Sequence, residues 1–376
     1  MKTEVFDHIG AVPKESWDAL LSGHSATYSR AFWEVIEQSG LNDFHCHYVL
    51  FSDHSGQPCA LASFYSTTTD IAIFAPARLR GLLALVRRIF PDFLKLRMVE
   101  CGTPVTLNSP PLVLAEGANA QEVIVALDQL LDSTARAGGQ WIIVVRDFES
   151  NATPLRAPFA NLGYRWVEGL PNTYLDVQWS TLEDYQASMQ SYYRSKLLRH
   201  LRRVQQAGIR HELVEDFAGL AEALHRQWLV VHRGADEFQR EVLTPEFYRE
   251  FATRLGSRSK VLLFYRGEEL IGHVLLLHDG ELLRWLYFGR NEAANDSLYI
   301  YAGHAVIEAA IRLGARRVEM GLTTYPIKQD LGAQIAAIDF ALRSPSRLID
   351  TFVVPVYRLL NRTPVRRDRN VFKAER

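Results

Sequence analysis

The sequence predicts an α/β (α+β) fold laid down twice, as two tandem domains that are each a twisted mixed sheet flanked by helices. Three observations carry this expectation. One order of elements runs through the first half and returns in the second. The chain has 376 residues, room for roughly two domains that each bury a core. Its composition, 48% hydrophobic and 23% charged with a net charge of −1, is that of an ordinary globular protein and excludes a wholly basic nucleic-acid coat.

The repeat reads as follows. In the first half an apolar hairpin over 45–65 precedes a helical pattern over 120–137 and a strand over 141–145. Asn161-Leu162-Gly163-Tyr164 and the strand-like Asn172-Thr173-Tyr174-Leu175-Asp176-Val177 follow. In the second half a hairpin over 260–283, a helix over 298–313 and a strand over 317–320 take the same order. Asp330-Leu331-Gly332-Ala333 and a last strand over 336–342 close it. A period of about half the chain means a duplicated domain rather than a solenoid. The expected divisions are a first domain over 1–175, a second over 176–350, and a frayed basic tail over 351–376.

The remaining elements follow from local signals. Serines open helices over 16–20 and 29–38, the second stopped at Gly40. Strands over 47–51 and 60–65 join through the turn composition Asp53-His54-Ser55-Gly56. Residues 78–90 predict a basic amphipathic helix with a solvated face, the alternative being contact with a membrane surface. Three prolines make 103–111 a loop. One long helix is expected over 181–207, ended by Gly208, with shorter ones over 220–231 and over 245–255 behind a Thr244 cap. Strands over 260–265, 270–278 and 281–288 form a meander that turns at Asp279-Gly280. Cys46, Cys59 and Cys101 show no metal-ligand spacing, so no metal is expected and a reducing cytoplasm is. No apolar h-region follows Met1, and no apolar run approaches the ~18 residues of a membrane span.

A meander, then a helix, a strand and a final strand pair, is the element order of the acetyltransferase (GNAT) fold, which the chain resembles in both halves. The second half resembles a narrower group. Glu183-Asp184-Tyr185-Gln186-Ala187-Ser188, Tyr193-Arg194-Ser195-Lys196 and Ala207-Gly208-Ile209 are followed by Leu243-Thr244-Pro245-Glu246-Phe247-Tyr248 and Leu276-Leu277-His278-Asp279-Gly280. Then come Asn295-Asp296-Ser297-Leu298-Tyr299, Gly321-Leu322-Thr323-Thr324-Tyr325-Pro326-Ile327-Lys328 and Leu331-Gly332-Ala333. In this order the motifs are similar to those of the Fem-like peptidoglycan-bridge aminoacyltransferases and the related tandem-GNAT N-acyltransferases. The resemblance spans about 170–343, with a weaker echo before it. It implies metal-free transfer of an acyl or aminoacyl group to an amine, and it does not name the donor.

The residues can be read beside it. Residues 189–209 hold Arg194, Lys196, Arg199, His200, Arg202 and Arg203 and no acid. Leu197, Leu198, Leu201 and Val204 form the apolar stripe, so the cations share the other face of a helix. That face can neutralise the phosphates of transfer RNA, of a nucleotide-linked acceptor or of coenzyme A, or can simply be solvated. Acyl-CoA-dependent members of the fold hold the donor pyrophosphate on a glycine-rich loop at a helix N-terminus. The equivalent stretch from Arg290 to Ser297 has no glycine and carries Glu292 and Asp296. This disfavours CoA and leaves Arg290, Ser297 and Tyr299 as donor-side candidates, Ser297 serving alternatively as a helix cap.

Lys328, just past a strand, is expected to pair a phosphate or stabilise a developing oxyanion, and Tyr325 to hydrogen-bond the donor or protonate a leaving oxygen. Glu319, inside a strand, would need a partner if buried and is a site candidate. Asp236, Glu237, His232, His273 and Asp339 are further candidate bases, His273 being equally a core histidine. The expectation is a cytoplasmic aminoacyltransferase. It would take aminoacyl-tRNA as co-substrate, with no other cofactor, and load an amine or hydroxyl of a small-molecule or peptidoglycan-precursor acceptor. The alternatives are an N-acyltransferase using acyl-CoA or acyl carrier protein, and an inactive GNAT-like binding module.

Overall fold

In the strands the side chains alternate between a helix-covered face and a second face, and that alternation builds two sheets. The computed structural model describes residues 1–21, 25–42, 44–70, 77–105, 107–149, 153–234, 241–292, 297–360 and 369–374. The first half runs β1 (Lys2–Phe6), α1 (Lys14–Ala19), α2 (Arg30–Gln38), β2 (His45–Ser52), β3 (Pro58–Asp70), α3 (Ala77–Arg87) and β4 (Lys95–Cys101). It continues with β5 (Leu112–Leu114), α4 (Ala120–Gly138), β6 (Ile142–Glu149), α5 (Thr153–Asn161) and β7 (Arg165–Glu168). β8 (Asn172–Asp176) ends the first half, and the second runs α6 (Leu182–Ser188), α7 (Ser191–Gln206), β9 (Ile209–Val214), α8 (Ala221–Gly234) and α9 (Pro245–Leu255). There follow β10 (Ser259–Arg266), β11 (Glu269–Asp279), β12 (Leu282–Arg290), α10 (Leu298–Leu313), β13 (Arg317–Glu319), α11 (Tyr325–Asp330), β14 (Gln334–Ala336), β15 (Ile338–Arg343) and α12 (Arg347–Leu360).

The first sheet has the order β1-β2-β3-β4-β6-β15-β7, with β5 against β3, and the second β14-β8-β13-β12-β11-β10-β9. Among the described strands each sheet has one parallel pair, β4–β6 and β12–β13; the other pairs are antiparallel. The halves trade a strand. β15, late in the chain, lies between β6 and β7, while β8 lies between β13 and β14. The expected division at residue 175 therefore falls inside β8, a strand of the second sheet.

Local signals place most ends. Ser29 and Thr244 cap α2 and α9 by accepting from Phe32 N–H and Phe247 N–H. Two expectations are corrected. The long helix over 181–207 is α6 and α7, broken at Met189, which has extended backbone, is fully buried and bridges to Phe372. Where a frayed tail was expected over 351–376, Arg347–Leu360 is helical and Val371 is buried against the second domain. Phe372 packs on Trp179 and Tyr185.

The helices α4 and α5 cover one face of the first sheet, where Val99, Ile143 and Val145 meet Leu127, Leu131 and Phe159. Helices α7 and α10 cover the second sheet. A third core belongs to both halves: Trp17, Trp33 and Tyr48 form one cluster with Phe247, Phe251, Leu263 and Leu275. Among the described residues no helix is long and apolar enough to cross a membrane.

Candidate active site

Strand register brings four polar side chains to one face of the second sheet. Arg284 pairs with Glu319 across β12–β13, and Glu319 with Tyr174 across β13–β8. Asn172 lies two residues from Tyr174 and so shares their face. The alternating Leu283, Val318 and Leu175 belong to the apolar core on the other side. All four polar residues are buried, Arg284 at 5% and Glu319 at 2% exposure.

Their partners come from the first half. Asn108, in the loop between β4 and β5, donates its backbone N–H to Glu319 Oε1 at 3.1 Å. Its Nδ2 donates to the Tyr174 hydroxyl at 2.9 Å and to Glu149. Arg284 Nη1 donates to Glu319 Oε2 and to the Asn108 carbonyl, the latter at 2.7 Å. Asn172 Nδ2 donates to Glu319 Oε1 at 2.7 Å, and the Tyr174 hydroxyl to Glu149 Oε1 at 2.7 Å. Arg284 also lies 3.5 Å from Asp279. Charges out of water are tolerated here because each meets a counter-ion and further hydrogen bonds. Burial, with Glu319 and Glu149 adding to it, holds the Tyr174 hydroxyl well above the phenol range, so it serves as a donor.

The first sheet carries a counterpart on its own parallel pair. Glu100 on β4 and Arg146 on β6 are both buried. Arg146 Nε lies 2.8 Å from Asp147, Nη1 donates to the Thr103 carbonyl at 3.2 Å, and Tyr65 donates to Glu100 at 2.7 Å. A Cβ on Gly102, at φ +132°, would stand 2.7 Å from Arg146 Cγ, so this close approach requires glycine. Asp147, at φ 66°, sits in the left-handed region next to it.

A cavity of about 290 Å³ joins the two clusters. Leu96, Met98, Ile142, Val144 and Phe340 of the first sheet wall it on one side and Val353 of α12 on the other. Glu100, Arg146, Asn108, Asn172 and Glu319 meet at its buried polar end, with Gly321 and Leu322 beside them.

The structure brings some predicted residues together and separates others. Glu319 is at the cavity, held by Arg284, Asn108 and Asn172. Lys328 is buried on α11, with Nζ donating to the carbonyls of Gly321, at 3.0 Å, and Leu322. Burial pushes its pKa down to about 7, against a smaller upward pull from Glu319. It thus braces the turn beside the cavity, in which Thr323 and Thr324 also have positive φ. Tyr325 donates to the Pro171 carbonyl at 2.9 Å. His273 is a core histidine, between Gln227 at 2.9 Å and Tyr248 at 3.1 Å, and burial lowers it to about 3. His232 stacks on Trp228, Asp339 pairs with Arg156, and Asp236 and Glu237 lie outside the described residues.

The donor-side candidates gather elsewhere. His200 of α7 lies 2.8 Å from Ser297 Oγ, at the start of α10. Burial, then Arg203, Lys196 and Arg199, lowers the His200 pKa. Lys196 pairs with Asp330 at 2.5 Å, whereas Arg199, Arg202 and Arg203 are exposed and make no ion pair among the described residues. Arg194 is half-buried on the same helix, and Arg290 ends β12. Tyr299 packs on Trp285 and Phe288, its hydroxyl pushed up to about 12 by burial. Between these elements β12 runs on past Arg284, its last residue paired with β13, so the two strands part there.

Sequence reasoning missed Asn108, Arg146, Asn172, Tyr174 and Arg284. The available signal was a lone arginine at an inward position of an apolar strand, as in Leu282-Leu283-Arg284-Trp285-Leu286 and Ile142-Ile143-Val144-Val145-Arg146. Among the described residues no group of His, Cys, Asp or Glu is placed to hold a metal.

An acetyltransferase (GNAT) domain model matches residues 191–329. With the two sheets and their parallel pairs, this gives the chain a GNAT fold of tandem architecture, the matched domain lying in its second half. In fold the chain is similar to FemX and to other tandem GNAT proteins. FemX superposes with a TM-score of 0.56 at 11% identity, over 90% of this chain and 97% of that one. A tandem GNAT protein from the clavulanic acid biosynthesis pathway superposes at 0.53 and 12% identity, over 92% and 99%. The structure of L-PGS from Bacillus licheniformis superposes at 0.50 and 12% identity, over 93% and 98%. In sequence, the chain is 29% identical over 329 residues to a Mycobacterium tuberculosis protein named "Putative 8-amino-7-oxononanoate synthase 2". The match takes in 85% of this chain and 42% of that protein, so the chain spans less than half the length of this relative.

Proposed function

We propose that the protein transfers an aminoacyl group from aminoacyl-tRNA to the amine or hydroxyl of an acceptor bound at the polar end of the cavity. One observation carries the donor assignment: α7 presents Arg199, Arg202 and Arg203 unpaired among the described residues, beside the start of α10. Phosphate-bearing donors meet this fold near that helix N-terminus, where backbone N–H groups and the helix dipole favour anions. FemX and L-PGS share the fold and support the reading as relatives in architecture. An aminoacyl-tRNA donor goes with a cytoplasmic enzyme. In the transfer the acceptor amine attacks the aminoacyl ester carbonyl, the ester C–O bond breaks, and the ribose oxygen leaves with the proton the amine gives up. An amide results, with no redox change.

Binding of charged bulk tRNA over a salt series tests the reading, together with transfer of a labelled aminoacyl group. Micromolar binding that weakens steeply with salt is expected. RNA affinity that ignores salt, or survives Arg199→Glu with Arg203→Glu unchanged, overturns it. The GNAT domain match favours a second reading, an acyl-CoA donor in the opening between β12 and β13. Tight acetyl-CoA binding without RNA binding would select it.

A further inference from the structure

We infer that the cavity under α12 is the binding site of a single-chain amphiphile with a hydrogen-bond-donating head, an alkyl chain carrying an amine. The inference gives the acceptor of the proposed transfer its chemical class. It rests on that reading for its role in catalysis, but not for binding itself.

Three observations carry it. The walls are apolar along their length, Met98, Ile142 and Val144 facing Ile349 and Val353. Such a lining orders no polar substrate but takes an alkyl chain readily. The rim is exposed, with Trp141 at 53% and Phe352 at 63%, whereas Asn108 and Arg146 at the polar end are at 7% and 4%. A chain whose polar head sits at the buried end therefore runs its tail outward to the exposed apolar rim.

The third observation fixes the head. Asn108 Oδ1 is a buried acceptor with no hydrogen-bond partner among the described residues, while the backbone N–H, carbonyl and Nδ2 of the same residue are all engaged. An orphaned buried acceptor asks for an N–H or O–H. The charge around it has the matching sign. Glu100, Asp147, Glu149, Asp279 and Glu319 gather around the cations of Arg146, Arg284 and Lys328, an excess of carboxylate that favours an ammonium over a carboxylate head. Gly321 and Leu322 line the same end, so the head lies where β13 gives way to the turn that Lys328 braces.

Calorimetric titration of the whole protein with n-alkylamines, from octyl to tetradecyl and below micelle formation, tests this without any donor. Affinity should rise about fourfold per methylene until the cavity is full, then level off. The alkyl carboxylate of equal length should bind at least tenfold more weakly. Val353→Trp, which fills the cavity, should abolish the chain-length dependence. Because that variant can misfold, Val356→Arg at the rim provides a second reading and should weaken the longer amines most. Affinity independent of chain length, or unchanged in both variants, overturns the site; equal or tighter binding of the carboxylate overturns the head assignment. Either failure leaves tRNA binding untouched, and failure of tRNA binding leaves the chain-length series intact.

Discussion

Replacing Arg284 by methionine should destabilise the join of the two halves more than almost any other single change. The side chain is 6% exposed and its partner Glu319 3%. Without the guanidinium, Glu319 keeps only the Asn108 and Asn172 donors on Oε1, and its second oxygen loses its counter-ion in a buried site. Breaking a buried pair by removing one member costs about 3–5 kcal/mol, because an uncompensated charge stays behind. With a urea slope of about 4 kcal/mol/M for a chain of this size, the first unfolding midpoint should fall by about 1 M. Removing the charge as well, in Arg284→Met with Glu319→Gln, should recover more than half of the loss. The double-mutant cycle should then give a coupling of about 2–3 kcal/mol. Urea unfolding of the four proteins measures it. A loss below about 1 kcal/mol in Arg284→Met, or strict additivity, would refute the reasoning that this pair is desolvated.

Other substitutions test other parts of the structure. Lys328 has a folded pKa of about 7 against 10.5 for the free side chain. Its burial cost is thus complete below about pH 7, fades as pH rises toward 10.5, and amounts to at most about 5 kcal/mol. Lys328→Met should flatten the rise in stability between pH 7 and 9.5; parallel urea midpoints for the two proteins over that range would contradict this. Charge reversal at Arg199 and Arg203 should reduce the slope of log K against log salt for tRNA by about 0.7–0.9 for each phosphate that is no longer neutralised, read by filter binding. Phe372→Ala should cost about 2 kcal/mol by opening its packing against Trp179 and Tyr185. A thermal midpoint unchanged within error would mean that residues 369–374 do not hold α6 in place. Gly102→Ala should likewise destabilise, since its Cβ meets Arg146, and retained stability would show that the Arg146 side chain can step aside.

Much of the architecture was legible because it is written locally. The Ser29 and Thr244 caps, the Asp279-Gly280 turn and the apolar periodicity of α10 need no knowledge of the rest of the chain. Glu319 was legible too, as a carboxylate in a strand that had to find a partner. What stayed hidden is made by distant pairing. Met189 ends a helix because Phe372, far along the chain, bridges to it, and no local pattern announces that pairing. Asn108 sits in a proline-rich loop whose composition suggested only a connection, yet it bonds to residues of β8, β12 and β13. Lys328 followed a strand and looked accessible to a ligand; only packing shows it turned inward on two carbonyls.

The traded strands have a consequence for how the chain reaches this state. While the ribosome has delivered only the first half, β6 and β7 face each other across a gap that β15 alone fills. The nascent first domain therefore holds two unsatisfied strand edges until nearly the whole chain has emerged, and β8 waits as long for β13 and β14. Pairings this far apart in sequence close slowly and leave sticky edges exposed meanwhile. Synthesis rate and chaperone supply, more than the stability of the finished protein, should then govern its yield in a heterologous host.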